Sequence, residues 1–133
     1  EGGAKPMAGE KVNLSDCEWK LMNRLWEQPM TIMELTNRFR EETGWSKNTV
    51  ITMLSRLEGK GAVRCEREDR AKRYYPVLQQ KDAARQETEN FLGKVYGGSL
   101  GLMMSAMVES RRLSESDIAE LSAILDKAGG EDT

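Results

Sequence analysis

The chain is predicted to be mainly α-helical with one small β-hairpin, arranged as a head followed by a helical arm. Three observations predict it. Two capping-box starts, Ser15 with Glu18 and Thr31 with Glu34, each open an apolar stripe at helical spacing. A third amphipathic segment begins after Trp45, stops at Gly61 and runs directly into two basic, strand-like segments. Beyond Leu78 the apolar pattern is helical again and is interrupted at Gly97 and Gly98. Helix, helix, helix and hairpin in that order is the layout of a winged helix-turn-helix domain.

The first helix is expected over 15–27, with Trp19, Met22, Leu25 and Trp26 along one broad face. Gln28 and Pro29 end it, because proline lacks a donor and disfavours helix in the residue before it. The second helix is expected from Thr31 to about Glu42, with Ile32, Leu35 and Phe39 inward, and Gly44 permits the turn that follows. In the third, Ser46 is placed as N-cap and Val50, Leu54 and Leu57 form the buried stripe. Lys47, Asn48, Thr49, Thr52, Ser55 and Arg56 stay off that stripe and gather toward the helix N-terminus, the part of a recognition helix that touches base edges. Together with Ser46 they are the candidate readers. Lys47 and Asn48 suit base edges, since ammonium and amide groups bridge acceptors in the major groove, whereas Thr49, Thr52 and Ser55 suit phosphates or a thymine methyl.

Strands are expected over 62–67 and 73–78, around a projecting loop at 68–72. Arg70, Lys72 and Arg73 are the candidate wing contacts to phosphate or the minor groove. Tyr74 and Tyr75 alternate along a strand, so one should be core and the other exposed. Trp19, Trp26 and Trp45 are read as core. This head spans 11–78.

An arm is expected over 79–128. Ala83, Ala84, Phe91, Leu92, Val95 and Tyr96 mark its first helix, and Leu100, Met103, Met104, Met107 and Val108 its second. Leu113 precedes a third capping box, Ser114 with Asp117, and Ile118, Leu121, Ile124 and Leu125 line the last helix. Three short helices cannot bury such faces alone, so pairing with a second copy is expected. The predicted dimer contacts are Phe91, Leu92, Val95, Leu100, Met103, Met104, Met107, Val108, Ile118, Leu121, Ile124 and Leu125. Residues 1–10 are expected to be disordered or a tag remnant, and 129–133 disordered.

Composition narrows the function. The net charge is −2, but position matters more than the sum. Residues 45–76 hold eight Lys/Arg against four Asp/Glu, while residues 79 onward hold six against ten. A basic reading head on an acidic arm fits double-stranded DNA as partner. The 133 residues include no histidine and only Cys17 and Cys65, which supports neither a disulfide framework nor a usual zinc site. No Gly-rich phosphate loop or nucleophile elbow is present, so no catalytic residue, metal or cofactor is assigned. No apolar run approaches the roughly 20 residues that span a bilayer, so a cytoplasmic protein without direct membrane binding is expected. A rival reading is a protein-docking winged helix that never touches nucleic acid. Met103, Met104 and Met107 are soft enough for copper(I), but their helical spacing favours packing.

Trp45-Ser46, Thr49-Val50, Arg56-Leu57, Lys60-Gly61, Asp69-Arg70 and Tyr75-Pro76, preceded by Leu14-Ser15, Glu18-Trp19 and Leu25-Trp26, resemble the penicillinase-repressor (BlaI/MecI/CopY) family over about 14–125. The resemblance implies a bacterial transcriptional repressor of antibiotic-resistance or homeostasis genes, dimeric through its C-terminal helices, on a dyad-symmetric operator with TACA/TGTA-like half-sites. It also implies induction by a membrane receptor protease that triggers cutting at an asparagine-phenylalanine pair. The matching positions here are Ala106 and Met107, so the pair is not retained. The family often has proline and then a cation where this chain has Lys47 and Asn48, and a cation or histidine where it has Ile51. The copper-responsive branch carries a cysteine-rich tail that KAGGEDT lacks, so metal sensing is not expected.

Overall fold

The computed structural model describes residues 12–131, and the expectations for residues 1–10, 132 and 133 lie outside them. The element order is α1 (Asp16–Glu27), β1 (Met30–Thr31), α2 (Ile32–Glu42), α3 (Lys47–Gly59), β2 (Val63–Glu68), β3 (Ala71–Pro76), α4 (Gln80–Tyr96), α5 (Leu100–Glu109) and α6 (Glu115–Glu131). The chain divides into two compact units, the first ending at Thr88 and the second beginning at Glu89, both inside α4. The sequence placed this boundary after Leu78. The first unit extends further because Ala83, on the first turn of α4, is buried in the same apolar cluster as Leu78 and Tyr74.

Local chemistry sets the helix starts. Ser15 Oγ accepts the Glu18 N–H at 3.2 Å while Glu18 Oε1 accepts the Ser15 N–H at 2.8 Å. Thr31 and Glu34 repeat the arrangement at 3.2 and 2.9 Å. Each box satisfies donors that a helix start would otherwise leave orphaned. Leu21, Met22 and Leu25 of α1, Leu35 and Phe39 of α2, and Val50, Leu54 and Leu57 of α3 then close a core in which each is at most 2% exposed. Met53 joins them, one residue beyond the predicted stripe.

The hairpin differs from expectation in two ways. Six residues pair in each strand, from Val63 opposite Pro76 to Glu68 opposite Ala71, so the turn is Asp69 and Arg70 alone and Lys72 belongs to β3. Asp69 takes φ 55°, a left-handed conformation that aspartate tolerates and a two-residue hairpin turn demands. The wing therefore projects as a paired ribbon and not as a five-residue loop. In addition, β1 pairs antiparallel with β3, Met30 opposite Tyr74 and Thr31 opposite Arg73, giving a three-stranded sheet in the order β1-β3-β2. As expected of alternation, Tyr74 is buried and Tyr75 is not.

One buried charge ties the head together. The Glu18 side chain is 2% exposed and lies 2.6 Å from Lys60 Nζ, which also donates to the Asn13 carbonyl at 2.7 Å. Burial pushes the Glu18 carboxyl up, but bonds from Lys60 and from Ser15 outweigh that and hold it below the usual glutamate value. The pair joins the N-terminus of α1 to the C-terminus of α3.

In the second unit, Gly97 and Gly98 take φ 59° and 87°, and the Gly98 N–H returns to the Leu92 carbonyl at 3.0 Å, ending α4. Ser99 caps α5, and Ser114 with Asp117 forms the third predicted capping box ahead of α6. That helix continues through Gly129 and Gly130 to Glu131, past the point where order was expected to stop. Glycine weakens a helix by about 1 kcal/mol per residue without forbidding it. Leu100, Val108, Ile118, Ile124 and Leu125 are each more than half exposed. Among the described residues no single helix is long and apolar enough to cross a membrane.

Candidate nucleic-acid interface

Helix α3, which carries the candidate readers, is held at both ends. At its start, the Thr43 hydroxyl donates to the Phe39 carbonyl at 2.9 Å and accepts the Trp45 N–H at 3.3 Å, while Gly44 takes φ 77°. Trp45 packs on Phe39 with ring centroids 4.6 Å apart. Ser46 Oγ then accepts the Thr49 N–H at 3.2 Å and lies 3.2 Å from the Thr49 hydroxyl. At its end, Gly61 at φ 78° sends its N–H to Glu58 and Ala62 sends its own to Leu57, a Schellman stop. The Ala62 carbonyl accepts both the Val77 and Leu78 N–H groups, and Trp26 Nε1 donates to the Leu78 carbonyl at 2.8 Å. These bonds fix the exit of the sheet against the helices.

With Val50, Met53, Leu54 and Leu57 inward, Lys47, Asn48, Thr52, Ser55 and Arg56 are exposed, as the sequence predicts. Ser46 and Thr49 belong to the cap. The Ser46 hydroxyl already bonds both the Thr49 N–H and the Thr49 hydroxyl, which gives the two residues a structural job at the same spot. The exposed face also carries Ile51, 40% exposed.

On the wing, Arg70 sits at the turn and Lys72 lies directly opposite Arg67 across the strands, all three exposed. In sequence Arg67 is one of eight cations between 45 and 76, with nothing to set it apart. Its partner becomes visible only once the register is known. Like charges facing one another across a ladder are unfavourable in isolation, so the pair suits an anion laid across it.

Arg73 is placed differently. Its Nε lies 3.0 Å from Glu68, and one terminal nitrogen lies 3.2 Å from both Glu34 and the Pro29 carbonyl. The Tyr75 hydroxyl donates to Glu68 at 2.7 Å. Tyr75 and Arg73 hold the Glu68 carboxyl below its ordinary value, and Glu68 and Glu34 raise Arg73 in turn. Since Glu34 also caps α2, this cluster fastens the outer half of the hairpin to the start of the second helix. On the same ribbon the Arg64 guanidinium lies 4.4 Å from the centre of the Tyr75 ring.

The penicillinase repressor family profile matches residues 14–127. The methicillin resistance regulatory protein MecI of Staphylococcus aureus (strain N315) is 28% identical over 122 residues, covering 91% of this chain and 99% of that protein. The penicillinase repressor of Bacillus licheniformis is 31% identical over 115 residues, 86% of this chain and 90% of that one. Among solved structures, the DNA-binding domain of the repressor BlaI superposes with a TM-score of 0.50 at 28% identity, covering 60% of this chain and 92% of that domain. With the family profile spanning most of the chain, this protein belongs to the penicillinase repressor family, whose members are DNA-binding transcriptional repressors and not enzymes.

Proposed function

We propose that the protein is a homodimeric repressor that occupies a pseudo-palindromic promoter operator and controls antibiotic-resistance or stress genes. The observation that carries this reading is the division of labour between the units. The head exposes a polar helix face beside a cationic ribbon, and the arm leaves apolar stripes uncovered on α5 and α6. In this reading Lys47, Asn48, Thr52, Ser55 and Arg56 face the major groove, with Ser46 and Thr49 presenting the helix N-terminus to phosphate. Arg70 and Lys72, joined by Arg67, neutralise backbone phosphates, and Arg73 positions the wing. The arm stripes, including Leu92, Met103, Met104, Met107 and Leu121, pair two copies so that two weak half-site contacts act together.

In this reading induction acts on the arm. Because Ala106 and Met107 do not retain the asparagine-phenylalanine pair, a different protease, triggered through a membrane receptor, would have to cut within Leu100 to Val108 of α5, which would separate α6 from the head and dissolve the pair. An asparagine-phenylalanine pair does occur in this chain, at Asn90 and Phe91, but it lies in α4 and is not at the matching position.

The test is fluorescence-anisotropy binding to the chain's own promoter and to a scrambled duplex across a salt series. A preference of roughly a thousandfold with a steep salt dependence supports a specific repressor. Equal, weak, salt-insensitive binding sinks it in favour of a protein-docking role.

A further inference from the structure

We propose that Ile51 is a specificity-determining residue that reads the 5-methyl group of a thymine in each operator half-site. The inference rests on the DNA-binding role proposed above and adds to it a wholly aliphatic contact for a thymine methyl, a task otherwise open only to Thr49, Thr52 and Ser55 as an alternative to phosphate. Among the described residues of the head, Met33 and Ile51 are the large hydrophobics left exposed, while the rest of the apolar set closes into the core. Ile51 is the one of the two on the reading helix. It lies one helical turn after Lys47 and one before Ser55, and three residues after Asn48, so helix geometry places it in the same row as candidate base-edge groups. The core does not need it. Val50, Met53, Leu54 and Leu57 already face inward, and an apolar side chain in a polar face is unfavourable until something apolar covers it.

The major groove offers one such group. Of the four bases only thymine presents a methyl there, and aliphatic contact is the ordinary way to recognise it. A β-branched side chain on a helix is confined to one dominant rotamer, so isoleucine loses little freedom on docking and discriminates by shape. Lys47 and Asn48 then read acceptors and donors on neighbouring bases.

The experiment begins with operators selected from random DNA by the full chain, followed by substitution of each thymine by deoxyuridine, which removes only the methyl. For the unaltered protein, one thymine per half-site should weaken binding about fourfold when replaced, the size of a lost buried methyl contact. In Ile51→Ala that sensitivity should vanish while sensitivity elsewhere persists, and Ile51→Val should retain part of it. Ile51 is exposed, so the variants should keep the parent melting temperature. Uracil sensitivity that is identical in the parent and Ile51→Ala overturns the assignment, as does specific binding with no sensitive thymine at all. Failure to select any preferred sequence would instead defeat the DNA-binding reading itself, and the proposal with it.

Discussion

The head and the arm are built from similar helices, yet they resolve their apolar surface in opposite ways. In the head, Leu21, Leu35, Leu54 and Leu57 are at most 1% exposed, and three helices and a three-stranded sheet supply one another's cover. In the arm, α5 has no buried residue, and Ile124 and Leu125 of α6 are more than half exposed. Capping does not explain the difference, because α6 starts with a box as complete as those of α1 and α2. Caps decide where helices begin, whereas burial of a stripe decides whether a unit is sufficient in itself.

The largest test of that contrast is to charge the arm. Val108→Glu with Ile124→Glu places carboxylates on faces that a single chain leaves exposed. If these stripes pair two copies, sedimentation should show dimer converting to monomer, and operator affinity should fall by about 10² to 10⁴ as the linkage between half-sites is lost. The head should melt where it did before. If the double variant remains dimeric, the stripes are not the interface.

The complementary test is Leu54→Ala in the head, where the side chain is fully enclosed. It should lower unfolding free energy by about 2–5 kcal/mol in denaturant titration and leave the oligomeric state of the folded fraction unchanged. A loss well under 1 kcal/mol would mean the head is not packed as described.

A smaller effect is expected at the Glu18 and Lys60 pair. Lys60→Met leaves the carboxylate buried with only its bonds at the helix start, and should cost about 1–3 kcal/mol, discounted from fully buried pairs because the Lys60 side chain is 38% exposed. The pH dependence has a definite sign. A carboxyl lowered in the folded state contributes stability above its unfolded value, near 4.5, and that contribution is lost as pH falls through the still lower folded value. Lys60→Met should therefore flatten the stability profile below about pH 5. An unchanged acid limb would place the acid sensitivity elsewhere.

What was legible in the sequence was local. Ser15, Thr31, Ser46 and Ser114 could be placed as caps because the partner of each lies three residues away. Gly61 was readable as a stop, and Val50, Leu54 and Leu57 as a stripe, for the same reason. What was hidden depends on register across distance. The two-residue β1 exists only through pairing with a strand more than forty residues later, and Lys60 meets Glu18 across 42 positions. Ala71 and Lys72 are poor strand formers, so in sequence they read as loop, and only the ladder beyond Asp69 recruits them. Arg73 looked like one more wing cation, since nothing near it in sequence announces Glu34.

That last residue separates the two roles within the wing, and it predicts the smallest effect. Both Arg70 and Arg73 are arginines on the same ribbon, but Arg70 is exposed at the turn whereas Arg73 is gripped by Glu68, Glu34 and the Pro29 carbonyl. If Arg70 neutralises a phosphate, Arg70→Gln should reduce the slope of log affinity against log salt by about 0.9 per half-site, a few-fold loss of affinity at moderate salt. It should leave the melting temperature alone. Arg73→Gln should do the reverse, keeping the salt slope while lowering thermal stability, because Glu34 and Glu68 lose the cation between them. Equal slope changes in the two variants would return Arg73 to the phosphate backbone, and would mean that DNA draws its guanidinium away from the acids that hold it in the free protein.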